Sequence, residues 1–153
     1  MAPAPVPVQT VITAGFAVSA SRLSLLMLIN PENDLPGSHV LCVDDEALIR
    51  MMIADWVDDL GLKSIEAASG EDALDKLAEM EVKLLITDIR MGGMSGWEVA
   101  EHARERRPNL PVIYMSGYPC AGKPVPESIY LTKPFGQHQL QRAVRKALEL
   151  SAE

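Results

Sequence analysis

The sequence predicts an α/β protein organised around a doubly wound, five-stranded parallel sheet. Three observations point there. From His39 onward, five short apolar runs alternate with amphipathic stretches of helical period. Four of those runs lead straight into a polar residue: Asp44, Asp88, Ser116 and Lys133. The 153 residues, 48% hydrophobic and 23% charged, suit one globular domain that needs no disulfides to fill its core.

Val40-Leu-Cys-Val43 reads as a buried first strand. A helix follows from Ala47 to Leu60, with Ile49, Ile53, Trp56 and Leu60 on one face. Gly61 occupies the place of a C-cap glycine. Lys63 to Ala67 is the second strand. Ser69 is the N-cap of a helix from Gly70 to Met80, with Asp72 three residues on as an imperfect capping box. Lys83 to Thr87 forms the third strand and ends on Asp88. Ile89 to Ser95, carrying Gly92 and Gly93, is a loop. A third helix then runs from Gly96 to about Arg106, stopped by Pro108. Pro111 to Met115 is the fourth strand and Ser128 to Leu131 the fifth. The last helix, Gly136 to Leu150, buries Leu140, Ala143, Val144, Ala147 and Leu148.

Residues 1–37 read differently, as a disordered or mis-started extension and a linker, leaving residues 38–150 as the domain. The opening Pro/Ala segment favours extended chain. Arg22 divides the apolar stretch that follows, and neither half approaches the ~18 residues of a membrane span. No basic segment precedes it, as a signal peptide requires. The expectation is a cytoplasmic protein without a membrane anchor. Cys42 and Cys120 are lone thiols, which fits a reducing compartment, and the three histidines show no zinc spacing. A net charge of −7 argues against a nucleic-acid partner.

In a doubly wound sheet, right-handed crossovers bring all strand C-termini to one edge, where ligands bind. Asp44, Asp45, Asp88, Ser116 and Lys133 would therefore share a rim. Taken singly, each has a plain explanation: an acidic helix start, turn formers, a solvated lysine. Together they make a site. Two carboxylates ~5 Å apart repel by roughly 3 kcal/mol at an effective dielectric near 20. A hard divalent cation removes that cost, and Mg²⁺ suits one or two carboxylates plus water and a phosphoryl group. Asp45 and Asp88 are candidate direct ligands, with Asp44 acting directly or through water. Lys133 offers a point charge to a phosphoryl oxygen, and Ser116 a hydroxyl. Asp88, at the centre, can serve as a carboxylate nucleophile.

Val43-Asp-Asp-Glu46, Ile86-Thr-Asp-Ile-Arg-Met91, Met115-Ser-Gly-Tyr118 and Lys133-Pro-Phe135 resemble the receiver domain of two-component response regulators over about residues 38–150. The resemblance implies the flavodoxin-like strand order 2-1-3-4-5 and a protein that is not an enzyme beyond its own phosphorylation and dephosphorylation. Asp88 would be the phosphoacceptor. Asp44, Asp45, Asp88 and the backbone carbonyl of Arg90 would hold Mg²⁺. Lys133 would bind the phosphoryl group, Ser116 would be the switch hydroxyl and Tyr130 the switch aromatic. Gly96 matches a glycine that follows the phosphoacceptor loop, and Lys133-Pro134 should be cis. The implied partners are a histidine kinase or histidine phosphotransfer protein and a downstream protein target. Met115-Ser-Gly-Tyr118 resembles receivers attached to hybrid histidine kinases.

Two departures stand out. Gly92 replaces a proline usual in the family, which loosens the loop after Asp88. Pro119, Gly122, Pro124 and Pro126 crowd the place of the family's fourth helix, so that helix should be shortened or replaced by a loop. With that surface altered, the expected state is a monomer. The last helix runs close to the final residue, so the expectation is a stand-alone receiver. Two other readings differ in chemistry. An aspartate-nucleophile phosphatase would want an acid two residues after Asp88, where Arg90 stands. A relic interaction module would not need the complete acidic, hydroxyl and lysine set. Elsewhere, Trp56 reads as core, Trp97 as half-exposed, most of the methionines as adaptable packing and Cys42 as buried and inert. Arg104, Arg106 and Arg107 read as a basic helix end.

Overall fold

A computed structural model describes residues 39–117 and 122–152. The readings made for residues 1–37, Tyr118, Pro119 and Cys120 lie outside the described residues. Five strands, β1 (His39–Val43), β2 (Lys63–Ala67), β3 (Val82–Asp88), β4 (Val112–Ser116) and β5 (Ile129–Thr132), form one sheet in the order β2-β1-β3-β4-β5. Every neighbouring pair is parallel. β1 and β4 are buried at every position, whereas the edge strands β2 and β5 are only partly covered.

The helices among the described residues are α1 (Ala47–Asp58), α2 (Gly70–Glu79), α3 (Gly96–Arg106) and α4 (Gln137–Ala152). Residue parity along the strands divides the core into two layers. Leu41, Val43, Leu85, Val112 and Tyr114 pack against Ala73 and Leu77 of α2 and Val99, Ala100 and Ala103 of α3. Val40, Cys42, Leu84, Ile86, Ile113 and Met115 pack against Ile53 and Val57 of α1 and Leu140, Ala143, Val144 and Ala147 of α4. Trp56 joins the second layer half-buried, edge-on to Phe135. The thiol of Cys42 is fully buried, and that burial pushes its pKa up. Met51 departs from the packing role expected of methionine: it is exposed on α1 beside Leu48.

The helix ends follow their local chemistry. Gly61 turns the chain after α1 at φ 83°, a conformation that favours glycine. Ser69 Oγ accepts the Asp72 N–H at 3.0 Å, but the Asp72 carboxylate reaches back to the N–H of Ala68 at 3.2 Å, one residue before the cap. Ser95 and Glu98 form a complete capping box on α3. At the far end of α3, Arg104 donates to the Leu110 carbonyl at 2.6 Å. Arg107 donates to the carbonyls of Val82 and Met80 and pairs with Glu81. These arginines bind backbone carbonyls as well as complementing a helix dipole.

Between β4 and β5, the described residues 122–128 contain no helix, as the prolines there predict. Buried Val125 anchors this segment: its N–H donates to the Tyr114 hydroxyl at 3.0 Å, and its carbonyl accepts from Ser128 Oγ at 2.8 Å. Trp97, half-buried, stacks at a tilt on Tyr114 with ring centroids 4.6 Å apart. The Lys133-Pro134 peptide is cis.

Candidate functional site

The C-terminal ends of β1, β3, β4 and β5 meet at one rim. β1 delivers Asp44 immediately after its last residue, β3 ends on Asp88, β4 ends on Ser116, and Lys133 follows β5. The rim is stitched together through the backbone as well. The Ile89 N–H donates to the Met115 carbonyl at 3.1 Å, and the Lys133 N–H donates to the Ser116 carbonyl at 2.8 Å.

Three carboxylates converge. Asp44, Asp45 and Asp88 each place an oxygen within 4.8 Å of the others, close to the spacing assumed from sequence. Asp44 is completely buried, Asp88 is buried, and Asp45 is exposed. The Lys133 ammonium sits between the two buried members, 3.1 Å from Asp44 Oδ2 and 3.4 Å from Asp88 Oδ1. Asp44 Oδ1 is already engaged by the Glu46 N–H at 2.9 Å. Both of its oxygens are therefore occupied by protein donors. Asp88 Oδ1 accepts its neighbour's N–H, Ile89, at 3.0 Å.

The charges are unevenly compensated. Burial and the nearby Asp44 carboxylate push the Asp88 pKa up, and Lys133 and the Ile89 N–H only partly offset this. For Lys133, burial opposes the charge, but the hydrogen bond and charge of Asp44, with those of Asp88, outweigh it and hold the pKa above the ordinary lysine value. Lys133 thus stays a cation in the pocket.

Glycine at position 96 is a structural requirement of the site. A Cβ there would lie 2.1 Å from the Asp88 carbonyl oxygen and 2.9 Å from Ile89 Cα. The Gly96 N–H also donates to the Ile89 carbonyl at 2.9 Å. The start of α3 is therefore pressed against the backbone that presents Asp88. Gly92, by contrast, faces open space.

The other sequence candidates differ in exposure. Ser116 is buried at the end of β4. Arg90 lies exposed in the loop leaving β3. Tyr130 is 44% exposed on β5, paired in register with Tyr114 two positions below the Ser116–Thr132 level. Sequence reasoning missed Arg50. Its guanidinium donates to the Asp44 backbone carbonyl at 2.8 Å and pairs with Glu66 at 3.0 Å. The only sequence signal was its place, one helical turn into α1, six residues after Asp44.

The sequence pattern described as the response regulator receiver domain matches residues 40–145. The chain belongs to the response regulator receiver family. Among solved structures, this receiver is similar to a response regulator receiver protein from Sinorhizobium medicae WSM419. That match has 35% identity and a TM-score of 0.71, and it covers 75% of this chain and 97% of the other. It is 38% identical over 82 residues to the Regulator of RpoS of Escherichia coli K12, covering 54% of this chain and 24% of that protein. It is 33% identical over 129 residues to the sensor kinase CckA of Brucella abortus, covering 79% of this chain and 14% of that kinase. The receiver thus spans about a quarter or less of the length of these two longer relatives. Receiver domains pair with histidine kinases and are normally phosphoacceptors rather than enzymes. The acidic triad is typical of the receiver Mg²⁺ site. Among the described residues, no helix is long and apolar enough to cross a membrane.

Proposed function

We propose that this receiver, residues 38–150 of the chain, accepts a phosphoryl group on Asp88 from a phosphohistidine donor and works as a stand-alone response regulator. The donor would be a histidine kinase or a histidine phosphotransfer protein. The phosphorylated form would act by changed affinity for a protein target, by relay, or as a phosphate sink. The observation that carries this reading is the Lys133 ammonium lying between Asp44 and Asp88, with three carboxylate oxygens within 4.8 Å. A match covering 97% of a receiver structure supports the stand-alone form.

The donor set fits Mg²⁺: all hard oxygens, with one carboxylate exposed and two buried. Asp44, Asp45, Asp88 and the backbone carbonyl of Arg90 would hold the ion, with Asp44 acting directly or through water, since its oxygens also accept from Glu46 and Lys133. When bound, Mg²⁺ neutralises the excess negative charge of the pocket and of the incoming phosphoryl oxygens. The chain's own residues do the rest. An Asp88 carboxylate oxygen attacks phosphorus, the P–N bond to the donor histidine breaks, and the imidazole leaves with the bonding pair. Lys133 turns from Asp88 to a phosphoryl oxygen, and the Ser116 hydroxyl donates to another. Tyr130, now outward on the edge strand, is the aromatic that would swing inward, shifting the population of two surface arrangements.

The phosphatase reading is disfavoured by Arg90, which stands exposed where a general acid would be needed. The test is intact mass of the full chain after incubation with acetyl phosphate and Mg²⁺. Wild type should gain one labile phosphoryl group and Asp88→Asn none. Multiple turnover of a small phosphate ester would instead support the phosphatase. If wild type gains no adduct and its thermal stability does not respond to Mg²⁺, the relic interaction module takes its place.

A further inference from the structure

Asp44 is held at four points. Its N–H donates to the Ala67 carbonyl at 3.2 Å, and its carboxylate accepts from Glu46 and Lys133. The fourth is its own carbonyl oxygen, bound by Arg50 Nη1 at 2.8 Å. Arg50 is largely buried, with 17% of its side chain exposed, and its Nε is fixed 3.0 Å from Glu66 Oε1 on β2. One guanidinium therefore ties the turn after β1 to the first turns of α1 and to the edge of the sheet.

That carbonyl belongs to the peptide joining Asp44 to Asp45. Rotation of this peptide plane re-aims the Asp45 side chain. Asp45 is exposed, so the direction of its carboxylate is set by the backbone of the turn rather than by packing. We propose that Arg50, anchored by Glu66, is a positioning residue for the metal-binding acidic pair, locking the Asp44–Asp45 peptide so that the Asp45 carboxylate faces Asp88. The inference rests on reading the pocket as a Mg²⁺ site.

Three roles for Arg50 predict three different results. As a bare positive charge, Arg50 repels a divalent cation, and its removal tightens Mg²⁺ binding. As a brace for the fold alone, its removal lowers stability and leaves the affinity of the folded protein unchanged. As a positioning group, its removal weakens binding despite the lost repulsion. The experiment is calorimetric titration of MgCl₂ into chelator-treated full chain at fixed ionic strength, with urea unfolding measured alongside. Wild type, Arg50→Met, Arg50→Lys and Glu66→Gln are compared. Arg50→Met should bind Mg²⁺ about tenfold more weakly, the lower end of what losing a group that orients metal ligands costs. Arg50→Lys keeps the charge but cannot span both partners, and should also weaken binding. Glu66→Gln should show a smaller loss in the same direction, and it decides the matter if Arg50→Met fails to fold. Unchanged or tighter binding in the folded variants overturns the inference and leaves the proposed function standing. No Mg²⁺ binding by wild type overturns both.

Discussion

Replacing Gly96 by alanine tests whether α3 is truly pressed against the Asp88 backbone. The new Cβ would lie 2.1 Å from the Asp88 carbonyl oxygen, whereas real Cβ contacts stay beyond about 3.0 Å, an overlap of roughly 0.9 Å. The neighbour is backbone in a buried strand end and has no rotamer through which to yield. The start of α3 must back away by about that distance, which stretches the 2.9 Å hydrogen bond from Gly96 to Ile89 past useful length. Overpacking of this kind costs about 1–3 kcal/mol, and the weakened hydrogen bond adds about 1 kcal/mol. The expected loss is therefore about 2–4 kcal/mol, or roughly 8–17 °C in Tm for a domain of this size. Urea unfolding followed by far-UV circular dichroism measures it. Gly92→Ala is the control: its Cβ meets nothing within 4 Å, so stability should stay within about 0.5 kcal/mol of wild type. A Gly96→Ala protein as stable as wild type, or a Gly92→Ala protein equally damaged, would refute the close-approach argument.

Lys133→Met leaves buried Asp44 without its counter-charge and should destabilise the metal-free protein by about 3 kcal/mol, with millimolar Mg²⁺ recovering part of the loss; thermal melts with and without the ion check both. Asp88→Asn should be more stable than wild type at neutral pH. The folded pKa of Asp88 is raised, so its ionisation favours the unfolded chain once pH climbs above the unfolded value. That advantage should fade as pH falls below the unfolded pKa of about 4, and paired urea titrations across acid pH would show whether it does. Tyr114→Phe deprives the buried Val125 N–H of its acceptor and should cost about 1–3 kcal/mol, with faster amide exchange confined to residues 122–128. The raised pKa of Cys42 means that its thiol should resist alkylation in the native protein and react only on unfolding, which a labelling time course would read.

Much of the fold was legible because each level of the sequence agreed with the next. The strand boundaries read from sequence shifted by no more than a residue or so, and the central strands were the plainest, because a strand buried on both faces has little room for polar residues. Pro124 and Pro126 announced the lack of helix over the described residues 122–128 through backbone sterics alone. The acidic and lysine residues of the rim were legible because parallel topology forces strand ends together. Arg50 was not legible, since a solvated helix arginine and one gripping a backbone carbonyl look the same in sequence. The tightness at Gly96 was hidden for a related reason. The resemblance marked the residue, but only the approach of α3 to β3 shows what a methyl group would strike. The reach of the Asp72 carboxylate to Ala68 rather than to its own cap residue is likewise a matter of turn geometry that spacing alone does not encode.

The two tryptophans have a consequence for how this molecule can be watched. Trp97 packs with the layer under α2 and α3, and Trp56 with the layer under α1 and α4. Each side of the sheet therefore carries one native optical probe, and the two have different quenching neighbourhoods. Tyr114 lies 4.6 Å from the Trp97 ring, within easy range for excitation transfer, whereas Trp56 meets the Phe135 ring edge-on at 6.4 Å. Light absorbed by that tyrosine should emerge as Trp97 emission, and single replacement of either indole by phenylalanine would leave a one-sided reporter. The two layers can then be followed separately, without an extrinsic label, as ions or donors reach the rim between them.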